Sequence, residues 1–168
     1  ATRITAGRIT ALDLHRIVEM AKNLLRHPVE LLPGIREAVE VIASRYEVVL
    51  ITKGDLFHQE AKVRDSGLAD LFRRIEIVSE KDPPTYARVL SEFDAEAAGF
   101  LMIGNSLRSD IAPVLALGGW GVHMPYRTTW VHEREVAIES GHERMCVAAA
   151  PDALPEAVAT LAERAAAL

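Results

Sequence analysis

Hydrophobic residues along the chain fall into two alternating rhythms, one of helical period and one of short continuous runs. Between residues 10 and 26, Leu14, Ile17, Val18 and Leu25 fall near one face, which predicts a helix. Thr10 is placed as its N-cap, with Asp13 three residues on as the reciprocal capping-box partner. His27-Pro28 ends it, because the residue before proline avoids the helical region. Leu32-Pro33-Gly34 reads as a turn, followed by a second helix over 35–44 with Ile35, Val39 and Ile42 on one side. The rhythm then changes. Residues 47–52 form an apolar, β-branched run bounded by polar residues, the pattern of a strand buried on both faces of a parallel sheet.

From there helices and strands alternate. A helix is expected over 56–65 with Gly67 as its C-cap, a strand over 75–78, and a helix over 83–93 opened by Asp82-Pro83-Pro84. A strand over 99–103, a helix over 109–117 stopped by Gly118-Gly119, and a strand over 120–124 cut off by Pro125 come next. An Ala-rich helix over 155–168 closes the chain. Strands separated by helices of about ten residues imply right-handed βαβ units, hence an α/β fold. Its expected form is a three-layer open parallel sheet with helices on both faces. Residues 1–28 are helical throughout and read as a piece separate from the α/β core at 29–168.

Composition narrows the class without naming it. The 168 residues are 49% hydrophobic and 26% charged, a balance that supports one packed domain, with room for a small lobe. A net charge of -5 and the lack of any basic stripe argue against nucleic acid as a partner. The single cysteine, Cys146, cannot form an internal disulfide and reads as a small apolar filler beside Val147 and Ala148. No run reaches the roughly 18 apolar residues of a membrane span, and no signal-peptide core opens the chain. No membrane partner is expected, and the cytoplasm is the expected compartment. The histidines share no metal-ligand spacing, which argues against zinc. Trp120, Tyr126 and Trp130 cluster after the last strand, where packing on the final helix is favoured over lining a pocket. The 132–135 segment, His132 to Glu135, reads as a solvated helix face.

In open parallel sheets, ligands sit at the carboxyl ends of the strands. Thr52-Lys53-Gly54 there offers a hydroxyl and backbone N–H groups, a cradle for phosphate, although a threonine at such a position also serves as a helix cap. Lys81 at the next strand end can neutralise a phosphoryl oxygen, or can be a plain surface lysine. Asn105 and Asp110 bring oxygen ligands of the kind Mg²⁺ takes, while Asp110 also suits the first turn of a helix electrostatically.

The order of these segments changes their weight. A strand ending in Thr52, Lys81 placed 29 residues later, and the loop Gly104-Asn105-Ser106-x-x-x-Asp110-Ile111 resemble the second, third and fourth motifs of the haloacid dehalogenase superfamily. The resemblance covers about residues 30–125 and includes the Leu32-Pro33-Gly34 turn. It implies a Rossmann-like core and hydrolase chemistry. Thr52, with the backbone of Lys53 and Gly54, would bind the transferring phosphoryl group. Lys81 would balance charge, Asp110 would bind or orient Mg²⁺, and Asn105 would stand where the family's phosphatases usually place an aspartate. Residues 1–28 would be the end of a helical cap.

Two departures accompany the resemblance. The family's chemistry begins at an Asp-x-Asp motif on the central strand, and no such motif occurs in these 168 residues. The nucleophile is therefore expected upstream, with these residues inactive alone. A missing N-terminal segment, the other chain of a cleaved pair or a homodimer partner would fill the central strand. The second departure is Asn105, which lowers the negative charge around a metal by one. The implied activity is a Mg²⁺-dependent phosphatase acting on a small phosphorylated metabolite through an aspartyl-phosphate. The alternatives are a carbon–halogen hydrolase of the 2-haloacid dehalogenase type, or an inactive regulatory or interaction domain of the same fold.

Overall fold

In the computed structural model, residues 8–25, 28–126, 138 and 141–167 are described, so Trp130 and the 132–135 segment lie outside them. The chain forms two compact units, Ala1–Glu30 and Leu31–Leu168. The first contains α1, Ala11–Leu25. Its start is the expected capping box: the Thr10 N–H donates to Asp13 Oδ2 at 3.1 Å and the Asp13 N–H to Thr10 Oγ1 at 3.2 Å. Two backbone donors that no helical turn could satisfy are thereby paired.

The second unit carries α2 (Ile35–Ala43), β1 (Val49–Lys53), α3 (Leu56–Ser66), β2 (Arg74–Val78) and α4 (Pro83–Glu92). It continues with β3 (Leu101–Gly104), a π-turn (Leu107–Ile111), α5 (Ala112–Ala116), β4 (Trp120–His123), β5 (Met145–Val147) and α6 (Leu154–Ala166). Among the described residues, all strand pairs are parallel: β1 with β2, β3 with β4, and β4 with β5. They make two ladders, β1-β2 and β3-β4-β5.

Side-chain alternation shows how the helices cover the strands. Leu101 and Ile103 join a core containing Ala38 and Ile42 of α2, Trp120 and Val122 of β4, and Leu154, Val158 and Leu161 of α6. Met102, between them, turns to the opposite core with Ile51 of β1, Tyr86 and Val89 of α4, and Val114 of α5. Period-two alternation thus sends neighbouring residues of β3 to two helix layers, which is the three-layer α/β fold the sequence predicts. Both ladders belong to it, because Ile51 and Met102 share one core and Val48 packs into the other.

Three details differ from expectation. β1 begins at Val49 and buries only Ile51 fully, so it is not the doubly covered strand its composition suggests. The loop expected to open a helix at Ser109 instead begins with a π-turn at Leu107. β5 is not expected at all, since three residues are too short to show a period. Trp120 packs with the last helix as expected and donates its indole N–H to Ala98 O at 2.8 Å. Among the described residues, no helix is long and apolar enough to cross a membrane.

Candidate active site

The strand ends converge. Lys81, three residues past the end of β2, places Nζ 2.7 Å from Oδ1 of Asp110, six residues past the end of β3. The two side chains are only 13% and 5% exposed, so little water competes for either charge. One ion pair therefore joins the carboxyl ends of the two ladders.

The position of Asp110 follows from its turn. Both the Asp110 and Ile111 N–H groups donate to Ser106 O, at 2.9 and 3.2 Å, and the second of these spans five residues. Such π-turns often accompany functional sites. Here the wide turn brings the carboxylate back over its own loop, where Oδ2 accepts the Ser106 N–H at 2.9 Å. The Ser106 hydroxyl accepts the Ser109 N–H at 2.9 Å and closes the cap. Gly104 leaves room for this return, because a Cβ there would collide with the Asp110 carboxylate.

Two further residues brace the loop. Tyr86, fully buried in α4, donates its hydroxyl to Ser109 O at 3.0 Å. Burial, followed by the nearby Asp110 charge, pushes its phenol well above the ordinary value. His123, at the end of β4, stands with Nε2 3.2 Å from Asn105 O. A carbonyl only accepts, so the ring donates.

The end of β1 completes the edge. Thr52 Oγ1 lies 3.0 Å from Oε1 of Gln59, on the first turns of α3. Lys53 turns outward and pairs with Glu80 at 3.6 Å. The Gly54 N–H donates to Val78 O at 3.2 Å and is thus committed to the end of β2. What Gly54 contributes is conformation, since its φ of +147° is one that other residues rarely adopt. Asp55 then caps α3 by accepting the His58 N–H at 3.0 Å.

A carboxylate can accept about four hydrogen bonds, and two of the Asp110 sites are taken by Lys81 and Ser106. The remaining lone pairs suit Mg²⁺, which commonly takes one or two carboxylates and fills its shell with phosphate oxygens and water. Among the described residues, no group of three or more His, Cys, Asp or Glu could hold a metal ion. Asp110 is the carboxylate this loop offers, with the Asn105 amide as a neutral oxygen donor.

Of the residues the sequence singled out, Lys81 and Asp110 are in direct contact, and Asn105 lies in the same loop. Thr52 and Gly54 lie at the adjoining strand end, beside β2. Ser106 was quoted only as part of its motif loop, with no role of its own, and Gln59, Tyr86 and His123 were given none. The one signal for Gln59 is its place four residues after the Asp55 cap, which returns its side chain toward the loop before the helix.

Parallel strands whose carboxyl ends gather a lysine, a buried aspartate and a threonine define an open α/β domain with a charged, largely buried strand-end edge. No family model matches the chain, and no curated protein matches it. Among solved structures, it is 53% identical to a haloacid dehalogenase-like family hydrolase from Xanthomonas campestris, with a TM-score of 0.92. That match covers 99% of this chain and 70% of the other. Two more distant structures share the fold. A 2-haloacid dehalogenase from Pseudomonas syringae is 19% identical, with TM-score 0.62, over 93% of this chain and 66% of its own. A HAD phosphatase from Thermococcus onnurineus is 16% identical, with TM-score 0.61, over 77% and 58%. The chain belongs to the haloacid dehalogenase-like family of hydrolases.

Proposed function

We propose that this chain is the core of a Mg²⁺-dependent phosphomonoesterase working on a small phosphorylated metabolite in the cytoplasm. The observation that carries the reading is the Lys81–Asp110 pair, shielded from water at the carboxyl edge. There the ammonium can meet phosphoryl oxygens while the carboxylate holds a cation. Bound Mg²⁺ would supply charge neutralisation beside Asp110 and Asn105.

The nucleophile in this reading is an aspartate outside these 168 residues, carried by a strand lying between β1 and β3. Two observations support that placement. Ile51 and Met102 share one core, yet no ladder joins β1 to β3 among the described residues. Backbone groups on such facing edges need partners. In the reaction, the aspartate oxygen attacks phosphorus as the ester P–O bond breaks, and an acid group protonates the departing alcohol oxygen. Water then cleaves the aspartyl-phosphate, releasing phosphate and restoring the carboxylate. Thr52 donates to a phosphoryl oxygen, and Lys81 holds another. Residues 1–28 would be the end of a helical cap, the part that selects the substrate.

The test is turnover of small phosphomonoesters by the full-length protein with and without Mg²⁺. Mg²⁺-dependent release of phosphate that is lost in Lys81→Met supports the reading, and no release in either condition refutes it. One observation favours a second reading. Asn105 stands where the resemblance to the family's phosphatases would put a carboxylate, and a carbon–halogen hydrolase needs no metal. Chloride release from 2-chloropropionate without Mg²⁺ would establish that alternative.

A further inference from the structure

Thr52 is in the wrong state to bind an anion. A threonine hydroxyl has one hydrogen and two lone pairs, while phosphoryl oxygens of a dianion only accept. In this structure the hydroxyl donates its hydrogen to Gln59 Oε1 at 3.0 Å. In that arrangement Thr52 offers a phosphate nothing.

The surroundings of Gln59 provide the way out. Its amide lies against Gly54, with Nε2 2.8 Å and Cγ 3.3 Å from where a Cβ of residue 54 would stand. Oε1 and Nε2 are nearly equal in size, so a half-turn of the amide exchanges them where glycine leaves space. After that turn Nε2 donates to a Thr52 lone pair, and the hydroxyl hydrogen is released toward the strand-end cradle. A bound anion favours the turned state, because only there does Thr52 donate to it.

We propose that Gln59 is a positioning residue whose side-chain amide sets the direction of the Thr52 hydroxyl, so that phosphate binding and the amide turn are coupled. The proposal deepens the phosphatase reading and rests on it. It assigns a function to Gly54 as well, since any side chain there would jam the amide.

The test is a double-mutant cycle in the full-length protein, with inorganic phosphate as the probe and calorimetry as the readout. Thr52→Val should weaken phosphate binding by on the order of fivefold to tenfold, the scale of one neutral hydrogen bond. Gln59→Glu, whose carboxylate only accepts and so holds the hydroxyl turned away, should weaken it at least as much. In the Thr52→Val background Gln59→Glu should cost less, because only its charge repulsion remains. In turnover the Gln59→Glu loss should appear in KM with kcat held, because the Thr52 bond is made to bound phosphate and transition state alike. Gln59→Met removes donor and acceptor together and should leave binding within about twofold, since one bond is then missing from the free and the bound state alike. If Gln59→Glu weakens binding equally in both backgrounds, or not at all in the wild-type background, the coupling is refuted and the phosphatase reading stands. If Thr52→Val leaves phosphate binding unchanged, the phosphoryl clamp itself is refuted.

Discussion

Lys81 and Asp110 are each other's counter-ions where water reaches little of either, so removing one leaves the other charged and unpaired. Lys81→Met should therefore lower unfolding stability by about 3–5 kcal/mol in urea titrations, far more than an exposed pair would. Arg64→Ala, beside Asp65 at 3.2 Å on the surface, should change it by less than about 1 kcal/mol. Tyr86 offers a second check with a defined direction. Its phenol pKa is raised by burial and by the Asp110 charge, so its contribution to stability is fully present below pH 10.0. Above that value the unfolded chain ionises and the folded one resists, so stability falls as pH rises. Thermal melts between pH 8 and 11 should show a smaller alkaline loss in Tyr86→Phe, whose missing hydrogen bond to Ser109 O costs about 1 kcal/mol at neutral pH. Thr52, Lys81 and Asp110 were legible in the sequence because each follows a strand whose end the apolar runs announce. Gln59, Tyr86 and His123 were not, because each acts on a loop that only folding brings to it.

At the scale of elements, the turns decide where these side chains arrive. Gly54 holds a φ of +147° with the Gln59 amide in its way, so Gly54→Ala should destabilise by roughly 1–3 kcal/mol and weaken phosphate binding as well. The start of α4 depends on Asp82, which accepts the Thr85 N–H at 2.9 Å. Hydrogen bonding to Thr85 holds that carboxyl below its ordinary value of 3.8. Its stabilisation is present above pH 3.8 and disappears as pH falls through the lower folded-state value. Wild type should exceed Asp82→Ala in stability at pH 7, and the difference should vanish in strong acid. Helices and most strands were legible as periods, and the capping box and glycine stop came from residue type. The π-turn was not, since its sequence also suits an ordinary helix start, and what selects it is the return of Asp110 over Gly104. β5 has too few residues for a pattern, and pairing with β4 is what makes it a strand.

At the scale of the whole molecule, the ladders β1-β2 and β3-β4-β5 share both helix layers but, among the described residues, no hydrogen-bonded edge. The sequence foretold parallel βαβ units because that architecture follows from alternation alone. It could not show that Lys81 and Asp110 would span the two ladders, since that depends on how helices from both cover the same cores. A strand carrying the attacking aspartate between β1 and β3 would complete the sheet and set the nucleophile beside both. The central claim is that this edge holds a phosphoryl group for attack. Its most direct test is acid-quenched intact mass spectrometry of the full-length protein mixed with Mg²⁺ and a small phosphomonoester. The account predicts a transient mass gain of one phosphoryl group, sensitive to hydroxylamine as an acyl phosphate is and lost in Lys81→Met. Phosphate release with no such adduct, or an adduct unaffected by Lys81→Met, would contradict it.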